Sequence, residues 1–176
     1  PLAVALAKKS GRPVKLVMSR AEVFKATGPT SGAWVKVKIG AKRDGRLTAG
    51  EMVLKYQAGA FPGSPATLGG MTGFAPYDIE NASAECWDVV SNRPKCAAYR
   101  APGAPMAAFG VESALDELAQ KLDMCPLELR MKNAAKAGTR ALYGPKFLEI
   151  GYAETLAAAK VHPHWSAPLG ENQGRG

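Results

Sequence analysis

A change of hydrophobic period part-way along the chain constrains its fold more than any other feature. From Trp34 to Ile39, the apolar Val35, Val37 and Ile39 alternate with Lys36 and Lys38; from Leu47 to about Ala58, Met52, Leu54 and Tyr56 alternate with Glu51, Lys55 and Gln57. A period of two sends successive side chains to opposite faces, so both runs are half-buried strands. Lys42-Arg43-Asp44-Gly45-Arg46 lies between them, and its glycine takes positive φ without steric cost, which makes the pair a hairpin. Further on the spacing becomes three and four: Ala108, Val111, Leu115, Leu118 and Leu122 describe an amphipathic helix of about four turns. Cys125-Pro126 opens a second helix with proline at its first position, Leu127, Met131 and Ala134 on one face, and Gly138 as its stop. The expected class is α+β, with antiparallel strands packed by two consecutive helices.

The flanking segments are less marked. Residues 2 to 10 are rich in Ala and Leu, end on Lys8-Lys9 and stop at Gly11, as a helix does when cations and a left-handed cap close it. Pro13 to Met18 alternates like a short strand. Ser19-Arg20-Ala21-Glu22 fits a capping box before a brief helix that ends by Thr27 and Gly28. Gly59, Gly63, Gly69, Gly70 and Gly73, with Pro62, Pro65 and Pro76, predict a long loop. Strands are expected near Ala82 to Val90 and Lys95 to Tyr99, a weaker helix near Ala153 to Lys160, and coil beyond His162.

Composition removes several classes. A chain of 176 residues, 47% hydrophobic and 22% charged, can bury one core of ordinary size. The net charge of +8 is dispersed over Lys8-Lys9, Lys36, Lys38 and Lys42-Arg43 without a run of five or interleaved aromatics, which argues against nucleic acid as a partner. No apolar run approaches the roughly 18 residues of a membrane span. Cys86, Cys96 and Cys125 are odd in number, widely spaced and without a Cys-x-x-Cys pair; this speaks against a disulfide framework, a zinc ribbon or an iron–sulfur cluster of the chain's own, and suits a reducing, cytoplasmic setting. A start on Pro1 in what reads as mid-helix and a soft end from Gly170 to Gly176 suggest a piece of a longer chain.

Ala98-Tyr99-Arg100-Ala101-Pro102-Gly103-Ala104-Pro105 is the segment best suited to chemistry, because it runs from a predicted strand into the start of the long helix. A helix N-terminus offers free amides and partial positive charge, and Arg100 adds a planar fork of donors, so the corner suits an anionic ligand. The same residues also suit a simple turn in which Arg100 pairs with a carboxylate. Other candidates carry less. His162-Pro163-His164 lacks nearby third and fourth metal ligands. Glu112 and Asp116, four apart, suit a charged helix face better than a catalytic dyad. Cys125 suits a substitute helix cap better than a thiol nucleophile. The glycines of 59 to 73 match neither nucleotide-loop pattern.

Taken in order, Arg12-Pro13-Val14-Lys15, Ser19 to Glu22, Gly40 to Ala49, Ala98 to Pro105, Phe109 to Ser113, Asp116 to Ala119, Pro126 to Arg130 and Lys132-Asn133 resemble the molybdopterin-binding large subunit of the xanthine dehydrogenase and aldehyde oxidase family across nearly the whole chain. The resemblance implies that residues 1 to 165 are an internal fragment of the molybdopterin-binding domain, with 166 to 176 a flexible tail at the cut end. It implies that Arg100, with Tyr99 and Ala101, lies beside the molybdenum cofactor and that Pro102 and Gly103 shape the substrate pocket. Where purine-oxidising members carry a stacking Phe and an upstream Arg, this chain has Pro102 and Leu68-Gly69, so xanthine is not the expected substrate. The implied reaction is oxidative hydroxylation of an electron-poor carbon of an aldehyde or N-heteroaromatic with water. The general-base Glu is expected beyond Gly176, and iron–sulfur clusters and FAD on other domains or subunits, so the fragment alone is expected to be inactive. The competing expectation is a non-catalytic binding or scaffold module derived from that family.

Overall fold

The computed structural model describes residues 1–175; Gly176, the last residue of the expected tail, lies outside them. Ten elements follow one another: α1 (Leu2–Ser10), α2 (Arg20–Ala26), β1 (Ala33–Ala41), β2 (Leu47–Gly59), α3 (Ala66–Gly73), β3 (Asn81–Val90), α4 (Ala104–Lys121), α5 (Pro126–Lys132), α6 (Tyr152–Val161) and α7 (Pro163–Ser166). The expected α+β architecture is present, as a three-stranded sheet in the order β1-β2-β3 with helices on one face. The hairpin is antiparallel, with Val35 opposite Leu54 and Val37 opposite Met52, and Gly45 at its turn has φ 86°.

β3 departs from the antiparallel expectation and runs parallel to β2. Parallel neighbours need a crossover rather than a tight turn. Residues 60 to 80 supply it, and the expected long loop contains α3. Its sequence Ala-Thr-Leu-Gly-Gly-Met-Thr-Gly hides a helix because three of its eight residues are glycine. Those glycines are its packing face: a Cβ on Gly73 would stand 2.7 Å from the Met52 sulfur, and one on Gly70 2.4 Å from Cys86 Sγ. Tertiary packing overrides propensity here.

The core joins Leu47, Met52, Leu54 and Tyr56 of β2 to Ala107, Val111, Leu115 and Ala119 of α4. The buried stripe of α4 is thus rotated from the expected one: Ala107 replaces the exposed Ala108, while Leu118 and Leu122 lie at the margin of the core. Small residues decide this orientation, since the position of a Cβ on Gly110 is 2.5 Å from Val35 Cγ1. β1 and α4 touch through that glycine.

Two polar clamps fix the second helix. Asn133 is fully buried; its Oδ1 accepts the Leu47 amide at 2.9 Å, and its Nδ2 donates to the carbonyls of Gly45 and Leu129, each at 2.8 Å. It therefore ties the hairpin turn to the end of α5, which stops at Lys132 and not at the expected Gly138. Arg130 meets Glu112 Oε2 and Asp116 Oδ1, each at 2.8 Å, and Glu112 accepts the Tyr77 hydroxyl at 2.7 Å. Tyr152 of α6 donates in turn to the Tyr77 hydroxyl at 3.2 Å. Glu112 and Asp116 are therefore a charged helix face, as expected, that also grips α5 through ion pairs.

The capping box of Ser19 and Glu22 and the left-handed Gly11 cap form as expected. Pro13 to Met18 and Lys95 to Tyr99 are not strands. Leu16 and Val17 are exposed, and neither α1 nor α2 contains a buried residue, so the first alternation has no sheet to join within these residues. From the second segment only Cys96 and Ala97 donate to β2 and to Pro29, because Pro94 has no amide and no continuous partner runs alongside. Beyond His162 a four-residue helix interrupts the expected coil. No helix among the described residues is long and apolar enough to cross a membrane.

Replacing Asn133 by Ala leaves one amide and two carbonyls without their partners in a dry site. Such a loss costs roughly 2–4 kcal/mol. Urea denaturation of the Asn133→Ala protein should show a drop of that size; a drop below about 0.5 kcal/mol, typical of neutral surface substitutions, would mean the clamp is not needed.

Candidate functional site

The corner between residues 98 and 105 is held from below. Tyr56 is a core position of β2, and a buried phenol needs a partner for its hydroxyl. It donates to the Gly103 carbonyl at 3.0 Å. Burial, with the nearby Cys86 thiol as a smaller contribution, pushes the Tyr56 phenol up to about 12, so it remains a donor through neutral pH. α3 closes in from the side: a Cβ on Gly69 would lie 2.9 Å from the Tyr56 hydroxyl and 3.1 Å from the Gly103 carbonyl. On Gly103 itself a Cβ would lie 2.2 Å from the Pro65 carbonyl.

The backbone above this seat is unusual. Ala101 has φ 60° and Gly103 φ 80°, so two left-handed residues flank the half-buried Pro102. A left-handed alanine costs roughly 1–2 kcal/mol, which the surrounding packing must offset. Gly103 is the N-cap of α4, no side chain caps that end, and Pro105 at the second helical position has no amide to satisfy. The Ala104 and Ala107 amides donate to the carbonyls of Ala101 and Gly103 at 3.2 and 3.4 Å, so what the 18-residue helix turns toward the corner is chiefly the positive end of its dipole.

Arg100 and Tyr99 stand exposed on this corner. Among the described residues no carboxylate pairs with Arg100 and no hydrogen bond engages its guanidinium, so the simple turn held by an ion pair is not what the structure shows. Its five N–H donors, beside the positive end of α4, suit an oxygen-rich anionic group. Beside the first turns of α4 runs an open apolar groove of about 490 Å³, lined by Ala33, Val35, Pro105, Met106, Phe109 and Gly110.

The fold brings Gly69 against Gly103, so the two places singled out on the substrate side, Leu68-Gly69 and Pro102-Gly103, adjoin in space. The remaining candidates lie elsewhere and have local roles. His162 Nδ1 accepts the His164 amide at 3.1 Å and caps α7. Cys125 occupies the N-cap of α5, but its thiol makes no capping hydrogen bond, contrary to expectation. Sequence reasoning missed Tyr56, although a tyrosine among aliphatic core positions is itself a sign of a buried partner.

A family profile described as the molybdopterin cofactor-binding domain matches residues 1–134. The chain belongs to that family. It is 32% identical to the xanthine dehydrogenase molybdenum-binding subunit of Escherichia coli O157:H7 over 98% of its own length and 24% of that subunit's. It is also 32% identical to the nicotinate dehydrogenase large molybdopterin subunit of Eubacterium barkeri, over 85% of this chain and 36% of that one. Among solved structures, the aldehyde oxidoreductase from Desulfovibrio gigas superposes with a TM-score of 0.77 at 30% identity, covering 90% of this chain and 18% of that one. The chain thus spans only about a quarter of the xanthine dehydrogenase subunit it resembles. The exposed guanidinium of Arg100 beside the positive end of α4 would suit anionic groups of a molybdopterin cofactor.

Gly103→Ala combines a disfavoured backbone angle with a collision against the Pro65 carbonyl. Chemical denaturation should show a loss of roughly 3 kcal/mol or more. A loss below about 1 kcal/mol, the range of ordinary tolerated changes, would mean that the contact between α3 and α4 is looser than described.

Proposed function

We propose that this chain is the portion of a molybdenum hydroxylase large subunit that presents Arg100 to the molybdopterin cofactor, with Tyr99 and Ala101 beside it and Pro102 and Gly103 bordering the substrate. The observation that carries this reading is an unpartnered, exposed arginine on a braced corner at the uncapped start of an 18-residue helix. The guanidinium donors of Arg100 have no protein partner among the described residues. They are available to a ligand.

Arg100 donates hydrogen bonds to the anionic oxygens of the bound cofactor, and the helix end lowers the energy of negative charge beside it. When bound, the cofactor supplies the redox chemistry that removes electrons from an electron-poor carbon of an aldehyde or N-heteroaromatic while water provides the oxygen. The apolar groove along α4 favours a flat, weakly polar substrate, and the absence of a stacking Phe at Pro102 and of an Arg at Leu68-Gly69 disfavours xanthine. The general-base Glu belongs to another part of the subunit, so residues 1 to 165 alone are inactive. Iron–sulfur clusters and FAD on other domains or subunits carry the electrons onward, in the cytoplasm. The exposed apolar residues of α1 and α2 pack against the rest of the subunit.

The test is molybdenum and pterin analysis of the longer subunit that carries this chain, in native form and as Arg100→Ala. Loss of charge-assisted hydrogen bonds should weaken cofactor retention by roughly 10- to 100-fold. Unchanged molybdenum and pterin in the variant would remove Arg100 from the site and favour a non-catalytic module.

A further inference from the structure

We propose that Tyr56 is a positioning residue for the cofactor, acting through the Gly103 carbonyl to set the attitude of the corner that displays Arg100. The inference rests on the reading that Arg100 meets the cofactor. Tyr56 makes no hydrogen bond with Arg100; it lies fully buried in the second half of β2. Its hydroxyl donates at 3.0 Å to the carbonyl of the residue that caps α4, three positions after Arg100.

Three features separate this from a routine core hydrogen bond. The corner has no other side-chain fastening, since α4 is uncapped and Arg100 is unpartnered among the described residues. Its backbone is strained at Ala101, with φ 60°, so an external grip is needed to keep it from relaxing. Access to the grip is reserved: Gly69 leaves just enough space for the Tyr56 hydroxyl to reach Gly103, because a Cβ there would stand 2.9 Å from the one and 3.1 Å from the other. A phenol at this place thus ties the carbonyl at the start of α4 to the rigid sheet, adding a directional hydrogen bond to the packing that seats the corner. Binding gains from such pre-organisation because less disorder is lost when the ligand arrives.

Coupling between residues that do not touch is measured by a double-mutant cycle. In the longer subunit, Tyr56→Phe, Arg100→Ala and the double variant are compared for cofactor retention, read as molybdenum and released pterin after timed dilution. Tyr56→Phe removes one buried hydrogen bond and should weaken retention roughly five- to tenfold. In the Arg100→Ala background it should add less than about twofold, because the corner then has nothing left to position. Val111→Ala, a core truncation further along α4, serves as the stability control and should weaken folding without changing retention. Equal losses from Tyr56→Phe in both backgrounds would show that Tyr56 acts on the fold alone and would overturn the proposal, as would retention unchanged by Tyr56→Phe. Retention unchanged by Arg100→Ala alone would instead sink the functional reading beneath it. Should Tyr56→Phe fail to fold, Gly69→Ala, which wedges a methyl between the same two groups, replaces it in the cycle.

Discussion

Everything in this structure depends on how closely α4 can approach the sheet. The helix has small residues where it meets β1 and β2, namely Ala107, Gly110 and Ala119, and these let Val111 and Leu115 reach the core. α3 has the same property on a smaller scale, through Gly69, Gly70 and Gly73. Close backbone approach brings dispersion contacts and excludes water, but it leaves no slack. The start of α4 is therefore fixed in the same act that seals the core, and the corner at Arg100 inherits its position from that packing.

Much of the framework was legible in the sequence because its signals are local. The hairpin follows from alternation and Gly45, the capping box from Ser19 and Glu22, and the two helices from spacing and from Pro126. The failures were non-local. The direction of β3 depends on what fills the crossover, and a glycine-rich helix has little propensity to announce itself. Pro13 to Met18 alternates as well as many real strands, yet alternation specifies a face and not a partner. Asn133 illustrates the same limit. It stands in the sequence after Lys132 as an ordinary polar residue, and only the fold shows it buried with three hydrogen bonds, two of them across 80 or more positions to the hairpin.

The site divides along the same line. Arg100 and the helix start beyond it could be singled out as candidates from residue types, because the chemistry of a guanidinium next to a helix start is local. What holds them could not: Tyr56 lies 47 positions from Gly103, and Pro65 and Gly69 enter only through the close approach of α3. Glu112 and Asp116 show a related case, in which carboxylates whose spacing suggested surface charge also grip Arg130. A pair of carboxylates four apart says which face they share and nothing about what lies opposite.

The arrangement at the corner also settles a question of economy in the fold. Ala101 is held left-handed, α4 begins without a capping side chain, and Arg100 projects without a carboxylate. The first two are unfavourable for an isolated protein and have simple remedies, glycine at 101 and serine or aspartate in place of Gly103, while the exposed Arg100 is solvated and could take an acidic neighbour at little gain or cost. A capping side chain at Gly103 is blocked by the Pro65 carbonyl, so that remedy conflicts with the packing of α3 against α4. No such conflict applies to Arg100, which has open space and exposed neighbours. Its unpaired state is therefore not forced by the fold, and it leaves the guanidinium open to the anion that the proposed function requires.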